Sequence, residues 1–445
     1  MIFQTNWRVK LSPPLLKPDF AVDPGACRRF IIETTSRRRT DRIAALVDAS
    51  RGKVHQELSL IPSLVAEFPC SALEELARHR QIRKIWHDAP VYARLDSAVP
   101  AVRGDLAQKM GLTGKEVTIA ILDTGIYPHR DLVTPENRIF GWYDFINQKN
   151  SPYDDNGHGT HVAGIIAGNG TASRRKYKGM APEAVLVGVK ALDKDGTGTV
   201  SKFLAAIEWC LAHQNEFRIK VINLSVGGPA QESYRLDPLC RATTMAWNKG
   251  IFVCAAAGNE GPGAKTIETP GINPKIMTVG NVDNRETLTD IDDRLSPSSS
   301  RGPTIDNITK PNIVAPGTDI TSTWPGGGYR TLSGTSMSTP MVAGAAALII
   351  QKWPAIKPDQ LKFLLMKNAH NLGLGPNLQG AGVLNLEKIF NAAPNYKMNP
   401  RNFKEIFLYQ LLENLMNALG IKPTLFLKKR DEAARRALLD LVSFI

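Results

Sequence analysis

The sequence predicts an α/β fold in which helices cover both faces of a mostly parallel sheet, with a small α+β unit before it and helices after it. Between Lys115 and Asn385, short apolar runs such as VTIAILD and IFVCAAAGN alternate with helical stretches. Near-continuous apolar strands of this kind are typical of a parallel sheet that is buried on both faces. Hydrophobic residues make up 43% of the chain and charged residues 22%, which is ordinary for a globular protein.

The first part of the chain has a different pattern. Residues 28–100 are predicted as strand, helix, strand, strand, helix and strand, from RRFIIETT to IRKIWHDAPVYARLD. This order is typical of a ferredoxin-like sandwich. Ser71 and Glu74 at the start of its second helix predict a capping box. Residues 1–27 are interpreted as an N-terminal extension.

The larger region, residues 101–394, contains five predicted buried strands: VTIAILD, VLVGVKAL, VINLSVGG, IFVCAAAGN and IMTVGNV. Sheets of this class bind ligands at the carboxyl ends of their strands, so functional side chains are expected there. Residues 395–445 are predicted to form a helical extension. Its first helix, FKEIFLYQLLENLMNALG, ends at Gly420 and is followed by Pro423, a normal helix stop.

Charge and cysteine content limit the possible partners and location. The net charge is +13, but the basic residues form only short, distant clusters, so no nucleic-acid partner is expected. The five cysteines have no metal-ligand spacing and suit a reducing compartment. Neither a signal peptide nor a transmembrane segment is predicted, because charges and prolines interrupt the apolar stretches. We therefore expect a cytoplasmic protein, although export by a non-classical route remains open.

Four polar residues carry the candidate chemistry. Asp123 ends a buried strand, Asn259 follows another, His158 lies between two glycines at a helix start, and Ser336 begins an apolar helix. Hydrolysis of an amide by a serine requires a nucleophile, a base, a group that orients the base, and donors for the oxyanion. Each residue alone has a structural explanation, such as a turn aspartate or a capping serine. His161 could pair with His158 on a metal, but no HExxH pattern accompanies them and we expect no metal site.

The four motifs DTG, GHGTH, AAGN and GTSMSTP, in this order, closely resemble those of the subtilisin-like (subtilase) family of serine proteases. The resemblance extends from about Val117 to Asn385. It implies a three-layer subtilisin-like fold, with Asp123, His158 and Ser336 as catalytic triad and Asn259 as oxyanion donor. No cofactor is then needed for the chemistry.

The resemblance also implies a peptide-binding cleft and a propeptide. Peptides or proteins would be the substrates, and the N-terminal unit would chaperone folding and inhibit the active site. Within the family, the chain is most similar to the intracellular alkaline proteases of bacteria. The substrate-binding residues implied are Ser225, Val226, Gly227, Ala256, Ala257, Gly258, Glu260 and Glu268.

Two features depart from the family pattern. The calcium loop of secreted subtilisins is replaced by GNGTASRRKYKGM, which is basic, so the usual strong calcium site is expected to be absent even though Asp131 matches one ligand. Structural calcium at weaker sites elsewhere remains open. The second is Glu268, where the family has a small residue at the base of the primary specificity pocket. A carboxylate there predicts a preference for Lys or Arg before the scissile bond, and self-processing after Arg94 or Arg103. Alternatively, Glu268 turns outward to solvent or pairs with Lys265.

Two other functions remain open at this point. DTG is also the motif of aspartic proteases, but those enzymes need two such aspartates and the chain has one. The alternative within the family is a catalytically silent subtilase fold that serves as a binding module, because a fold alone does not establish activity.

Overall fold

The computed structural model describes residues 7–16, 26–36, 40–58, 60–88, 90–93, 98–99, 103–284 and 293–391. The helical extension predicted for 395–445, including its stop at Gly420 and Pro423, lies outside the described residues. Residues 1–394 belong to one compact unit. Among the helices that the structure describes, none is both long and apolar enough to cross a membrane.

The N-terminal unit has the element order that the sequence predicts. Its elements are β1 (Cys27–Thr34), α1 (Thr40–Ala49), β2 (Lys53–Leu58), β3 (Ser63–Pro69), α2 (Leu73–Arg78) and β4 (Ile82–His87). The sheet order is β2-β3-β1-β4 and every pairing is antiparallel. This is the ferredoxin-like arrangement.

The strands of this unit bury both of their faces. Phe30 and Ile32 of β1 pack with α1 and α2 in a core that belongs to the unit itself. Ile31, between them, joins Val65 and Trp86 in the large apolar cluster that continues into the rest of the molecule. Because successive side chains of a strand point to opposite faces, one face of the sheet is covered by its own helices and the other by the larger region.

The ends of the unit differ in part from the prediction. Two short 3-10 helices, Trp7–Lys10 and Pro13–Leu16, lie against it, and Ser12 N donates to Ile85 O at 2.9 Å. The predicted cap at Ser71 is wrong. A 3-10 turn, Cys70–Ala72, leads directly into α2, whose N-cap position is Ala72 without a side-chain hydrogen bond.

The larger region is built on an eight-stranded sheet. Its strands are β7 (Thr118–Asp123), β8 (Ile139–Asp144), β9 (Val185–Lys190), β11 (Ile219–Leu224), β13 (Phe252–Ala256), β14 (Met277–Asp283), β15 (Arg294–Leu295) and β16 (Ile313–Pro316). The order is β15-β14-β13-β11-β7-β9-β8, with β16 also paired to β14. All pairings are parallel except β14 with β15. The predicted parallel sheet is therefore confirmed, while β8 and β16 were not among the predicted strands.

Helices cover the sheet and lead away from its functional edge. They are α3 (Gly104–Lys109), α4 (Arg130–Val133), α5 (His158–Ala167), α6 (Val200–Ala212), α7 (Pro238–Asn248), α8 (Thr335–Lys352), α9 (Pro358–Lys367), α10 (Pro376–Gln379) and α11 (Leu386–Asn391). The chain reverses its winding direction between β7 and β11, which are adjacent in the sheet but distant in sequence. Such a switch point opens a crevice at the carboxyl ends of the strands.

Short strands complete the region beside this edge. They are β5 (Pro90–Ala93), β6 (Ala98–Val99), β10 (Thr197–Thr199), β12 (Val226–Gly227), β17 (Asp319–Thr323) and β18 (Tyr329–Leu332). β5 lies between β10 and β12 and is antiparallel to both. The chain that leaves the N-terminal unit thus enters the larger region as the central strand of a small sheet.

Candidate functional site

Asp123 is the last residue of β7, at the switch point of the sheet. Its side chain is fully buried, and Oδ1 accepts a hydrogen bond from Thr124 N at 2.7 Å. The same oxygen lies 2.7 Å from Nδ1 of His158. A buried carboxylate in this position holds Nδ1 of the ring as the protonated nitrogen and leaves Nε2 as the basic one.

His158 begins α5, and the turn before it fixes the ring. Gly157 precedes it with φ 110°, a left-handed conformation, and a Cβ there would lie 2.4 Å from the ring of Trp324. Asp154 accepts hydrogen bonds from Gly157 N at 2.8 Å and from Thr160 N at 2.9 Å. Glycine is needed here both for the backbone angle and for the close approach of the tryptophan.

Ser336 lies in the first turn of α8, which is buried along nearly its whole length. Its hydroxyl donates to Ser225 O at 2.9 Å, and the Ser225 hydroxyl donates to Ser336 O at 2.9 Å. The unpaired N–H groups of a helix start stabilise negative charge nearby. The Ser336 hydroxyl therefore lies close to main-chain N–H donors at the start of α8.

The two helices bring His158 and Ser336 to the same end of the site. α5 packs against α8. A Cβ added at Gly344 would lie 3.5 Å from Ile166 O. Gly344 and Ile166 each lie eight residues after the functional residue at the start of their helix. The equal offset indicates that both helices start side by side at the carboxyl edge of the sheet.

Asn259 follows β13 and is oriented by the residue before the serine. Its Oδ1 accepts from Thr335 N at 3.0 Å and from Thr335 Oγ1 at 3.3 Å. With the carbonyl oxygen held in this way, the amide NH₂ group is the remaining polar group. It is the kind of donor that an oxyanion requires.

His161, the possible metal partner of His158, has a structural position instead. Its Nε2 lies 3.0 Å from the main-chain oxygens of both Ile320 and Arg330, so this nitrogen is the donor. Burial lowers the pKa of His161 to about 3, so the ring is neutral. In the part of the chain that the structure describes, no three His, Cys, Asp or Glu residues cluster as a metal site would need.

The predicted cleft residues Ser225, Val226 and Gly227 line one side of β5. Val226 is paired with Ala93 and Gly227 with Tyr92. On its other side, β5 pairs with Thr197–Thr199 of β10. An extended peptide held between two strands is a common mode of peptide binding. β10 was not predicted from the sequence, although glycine and threonine alternate there just before α6.

Ala256, Ala257 and Gly258, the next group of predicted cleft residues, lie at the end of β13. Ala256 ends β13, and Ala257 O accepts a hydrogen bond from Glu268 N at 2.9 Å. Gly258 N donates to Thr335 Oγ1 at 3.2 Å, so this segment is joined to the helix start that carries Ser336.

The two acidic residues predicted for the specificity pocket have different surroundings. The side chain of Glu268 is buried, with only 2% of its surface exposed, so the alternative in which it turns outward to solvent is wrong. Glu260 is exposed, and its main-chain N–H donates to Ser300 Oγ at 3.0 Å. Lys265 is also exposed. Only Glu268 therefore contributes a buried carboxylate to the pocket.

Two further features of the site were not predicted. A small apolar cavity beside Val226 and Gly227 is lined by the buried side chains of Phe203 and Leu239. Lys190, fully buried, donates to Thr124 O and to Asp155 Oδ1, each at 2.5 Å, and so supports the turn after Asp123. In the sequence, Lys190 interrupts an otherwise apolar run, and this interruption is the signal that could have indicated a buried lysine.

In the region of the family's calcium loop, protein groups already contact the acidic residue that matches a calcium ligand. The Asp131 carboxylate is fully buried and already accepts from Ala172 N at 2.6 Å and Tyr329 Oη at 2.7 Å. The loop beside it carries Arg174 and Arg175, both with left-handed backbone angles, φ 52° and 69°. Calcium prefers several oxygen ligands and little positive charge. Protein donors here occupy the carboxylate that an ion would need.

Known proteins share this arrangement of sequence and fold. The family profile described as "Subtilase family" matches residues 114–386. The serine protease AprX of Bacillus subtilis is 43% identical to this chain, and the match covers 76% of this chain and 81% of the length of AprX. The alkaline protease of Alkalihalobacillus alcalophilus is 36% identical, and the match covers 78% of this chain and 84% of the length of that protease.

A solved structure also matches. Fervidolysin from Fervidobacterium pennivorans, described as a keratinolytic enzyme related to subtilisin, superposes with a TM-score of 0.65 at 22% identity. The match covers 83% of this chain and 62% of fervidolysin, so the chain spans less than two thirds of that protein. At this identity the likeness concerns the fold.

Proposed function

Since the chain belongs to the subtilase family of serine endopeptidases, we propose that it hydrolyses peptide bonds with Ser336 as nucleophile, His158 as general base and Asp123 as the residue that orients the base. The observation that carries these assignments is the 2.7 Å contact between Asp123 Oδ1 and His158 Nδ1. It leaves Nε2 of the ring to take the proton of a serine hydroxyl.

The chemistry follows from this geometry. The Ser336 hydroxyl turns from Ser225 O toward Nε2 of His158, loses its proton to the ring and attacks the scissile carbonyl. The amide of Asn259 and the main-chain N–H of Ser336 donate to the oxyanion that forms. His158 then gives its proton to the leaving amine, and water repeats the sequence to release the acyl group from Ser336.

Substitution of Ser336 tests these roles. In Ser336→Ala, kcat for a peptide substrate should fall by at least about four orders of magnitude, because the nucleophile is lost. The circular dichroism spectrum and the thermal midpoint should remain close to those of wild type. A folded variant that keeps more than a hundredth of the activity would exclude the assignment of Ser336 as nucleophile.

We further propose that the enzyme processes its own N-terminal unit, which then remains as an inhibitor. The support is the position of β5, whose register with Gly227 and Val226 runs toward Ser225 and thus toward the Ser336 hydroxyl. A peptide substrate bound in the same register would present its scissile bond to that hydroxyl. Antiparallel pairing on both sides is how an extended inhibitor gains affinity from main-chain hydrogen bonds.

Of the two processing positions predicted, Arg94 and Arg103, the first is preferred. Arg94 directly follows β5 in the sequence but lies outside the described residues. Arg103 lies at the start of α3 and forms an ion pair with Glu387. N-terminal sequencing of purified wild type should find Leu95, and Ser336→Ala should keep its original N-terminus. A chain that is cleaved equally in Ser336→Ala would show that another protease does the processing.

We also propose that activity and folding need no calcium at the loop near Asp131. Hydrogen bonds from the protein to the Asp131 carboxylate take the place of the bonds that a calcium ion would make to it. Dialysis against EDTA should leave the thermal midpoint within about 2 °C of that in calcium, a shift that corresponds to less than about 1 kcal/mol. A large loss of stability that calcium restores would contradict the proposal.

A further inference from the structure

We propose that Glu268 makes this protease selective for lysine or arginine as the residue before the scissile bond. This inference rests on the proposed function, because it assigns a side chain to the pocket of that same site. The pocket lies between the Ser225–Gly227 segment, which binds the acyl side of the substrate, and the segment that ends at Gly258. Its polar group is the Glu268 carboxylate, and the position of that carboxylate decides which substrate side chain is favoured.

The carboxylate of Glu268 lies between the two glycines that form the walls. A Cβ added at Gly227 would lie 2.2 Å from Glu268 Oε2, and one added at Gly258 would lie 2.6 Å from its Cδ. Both walls therefore need glycine, and the space that their missing side chains leave is taken by the acid. Gly258 has φ 106°, which independently favours glycine.

The main chain holds Glu268 in this position. Its N–H donates to Ala257 O at 2.9 Å, which attaches it to one wall of the pocket. The next residue, Thr269, exchanges hydrogen bonds with Gly228 at 3.2 and 2.9 Å, which attaches the same segment to the other wall. Glu268 thus bridges the walls, and its side chain points into the space between them rather than to solvent.

Both walls are joined to the segment that carries the nucleophile. Ser225, at one end of the first wall, accepts the hydrogen bond of the Ser336 hydroxyl at 2.9 Å. Gly258, in the second wall, contacts Thr335, the neighbour of Ser336. A substrate residue opposite Ser225 in the β5 register would therefore have its backbone at the nucleophile and its side chain beside the two glycines.

Charge then decides which side chain is favoured. A carboxylate with 2% exposure has lost most of its hydration, and a cationic side chain that reaches it forms a charge-assisted hydrogen bond shielded from water. An apolar ring in the same place would offer the carboxylate neither a positive charge nor a hydrogen-bond donor. Lysine and arginine have long enough stems to pass between the glycine walls, and arginine can bind both carboxylate oxygens.

The test compares two fluorogenic peptides that differ only before the scissile bond, one with Arg and one with Phe. Wild type should show a kcat/KM for Arg at least about tenfold above that for Phe. Glu268→Gln, which keeps the shape and removes the charge, should lower kcat/KM for Arg about 100-fold and change that for Phe less than about threefold. Glu216→Gln, the same change at an exposed glutamate before β11 and outside the pocket, should alter neither value more than about threefold.

A measurement on wild type avoids dependence on how a variant folds. Benzamidine, a planar cation that cannot be hydrolysed, should inhibit cleavage of the Phe peptide competitively, whereas uncharged benzamide at the same concentration should not. Absence of selective inhibition, or a wild type that prefers Phe with a ratio that Glu268→Gln does not move, would overturn the inference. The proposed function fails separately, if neither peptide is cleaved and a fluorophosphonate does not label Ser336.

Discussion

The two sheets of the molecule are buried in different ways. The sheet of the larger region is covered on both faces by helices of that same region. The four-stranded sheet of the N-terminal unit has only one face covered by its own helices, and Ile31, Val65 and Trp86 on the other face are buried by the larger region. The N-terminal unit is therefore built as a separate layer with its own core, and its second face is apolar because it is an interface.

Polar contacts surround this interface and give it specificity. Glu33, with a side chain only 2% exposed, binds Arg241 of α7 through two hydrogen bonds of 2.8 and 2.9 Å. Asp88 accepts from Ser201 N at 2.9 Å and from its hydroxyl at 2.7 Å, at the start of α6. An acid at a helix N-terminus is favourable for the helix dipole as well.

The largest expected effect comes from a charge placed in the middle of the interface. Ile31→Asp in an added fragment of residues 1–94 should weaken its inhibition of the mature enzyme by at least about 100-fold, because burial of an unpaired carboxylate costs several kcal/mol. The inhibition constant is the measurement. Since Ile31 belongs to the cluster shared with the larger region and not to the unit's own core, the fragment's circular dichroism should not change. Equal inhibition by the wild-type and variant fragments would mean that this face is not the interface in solution.

A smaller effect is expected at the rim. Glu33→Gln removes the charge of a buried pair and should weaken inhibition roughly 10-fold to 100-fold. Arg83 provides the matched control, because it lies 3.5 Å from the same carboxylate with a side chain that is 66% exposed. Arg83→Gln should change the inhibition constant by less than about threefold. If both variants lose affinity equally, general electrostatic attraction rather than the Arg241 pair holds the unit.

The smallest effect concerns pH. Burial raises the pKa of Glu232, which contacts Trp86 Nε1 and lies 3.2 Å from Lys84 of the N-terminal unit. A group with a raised pKa in the complex binds protons more readily there than in the free enzyme, so binding of the N-terminal unit should weaken as pH rises through that raised value. Inhibition constants between pH 4.5 and 7 would show this slope. Glu232→Gln should flatten it, and an unchanged slope would assign the dependence to another group.

Much of the fold was predictable because its signals are local. The apolar strands ending at Asp123 and Asn259 carry their own pattern, and the glycines beside His158 indicate a tight helix start. β8 escaped prediction because it is an edge strand with mixed polarity, IFGWYD, in which Phe140 is 67% exposed. The cap predicted at Ser71 failed because the approach of β3, rather than the capping preference, decides how α2 begins.

The site was predictable in its residues but not in its contacts. The order of Asp123, His158, Asn259 and Ser336 can be read from motifs, because each needs a specific neighbour such as glycine. Partners from distant parts of the chain, such as the Ser225 carbonyl that accepts from the Ser336 hydroxyl, have no local signal. For Glu268 the sequence left two orientations open, and only the close packing of Gly227 and Gly258 distinguishes them.

The central claim is that Ser336 is an activated nucleophile in a peptide cleft. Incubation of the processed enzyme with a fluorophosphonate, followed by peptide mass mapping, tests it most directly. A single adduct on Ser336, lost in His158→Ala and prevented by excess peptide substrate, is the predicted result. An enzyme that remains unlabelled, or one labelled at another serine while Ser336 is unmodified, would contradict it.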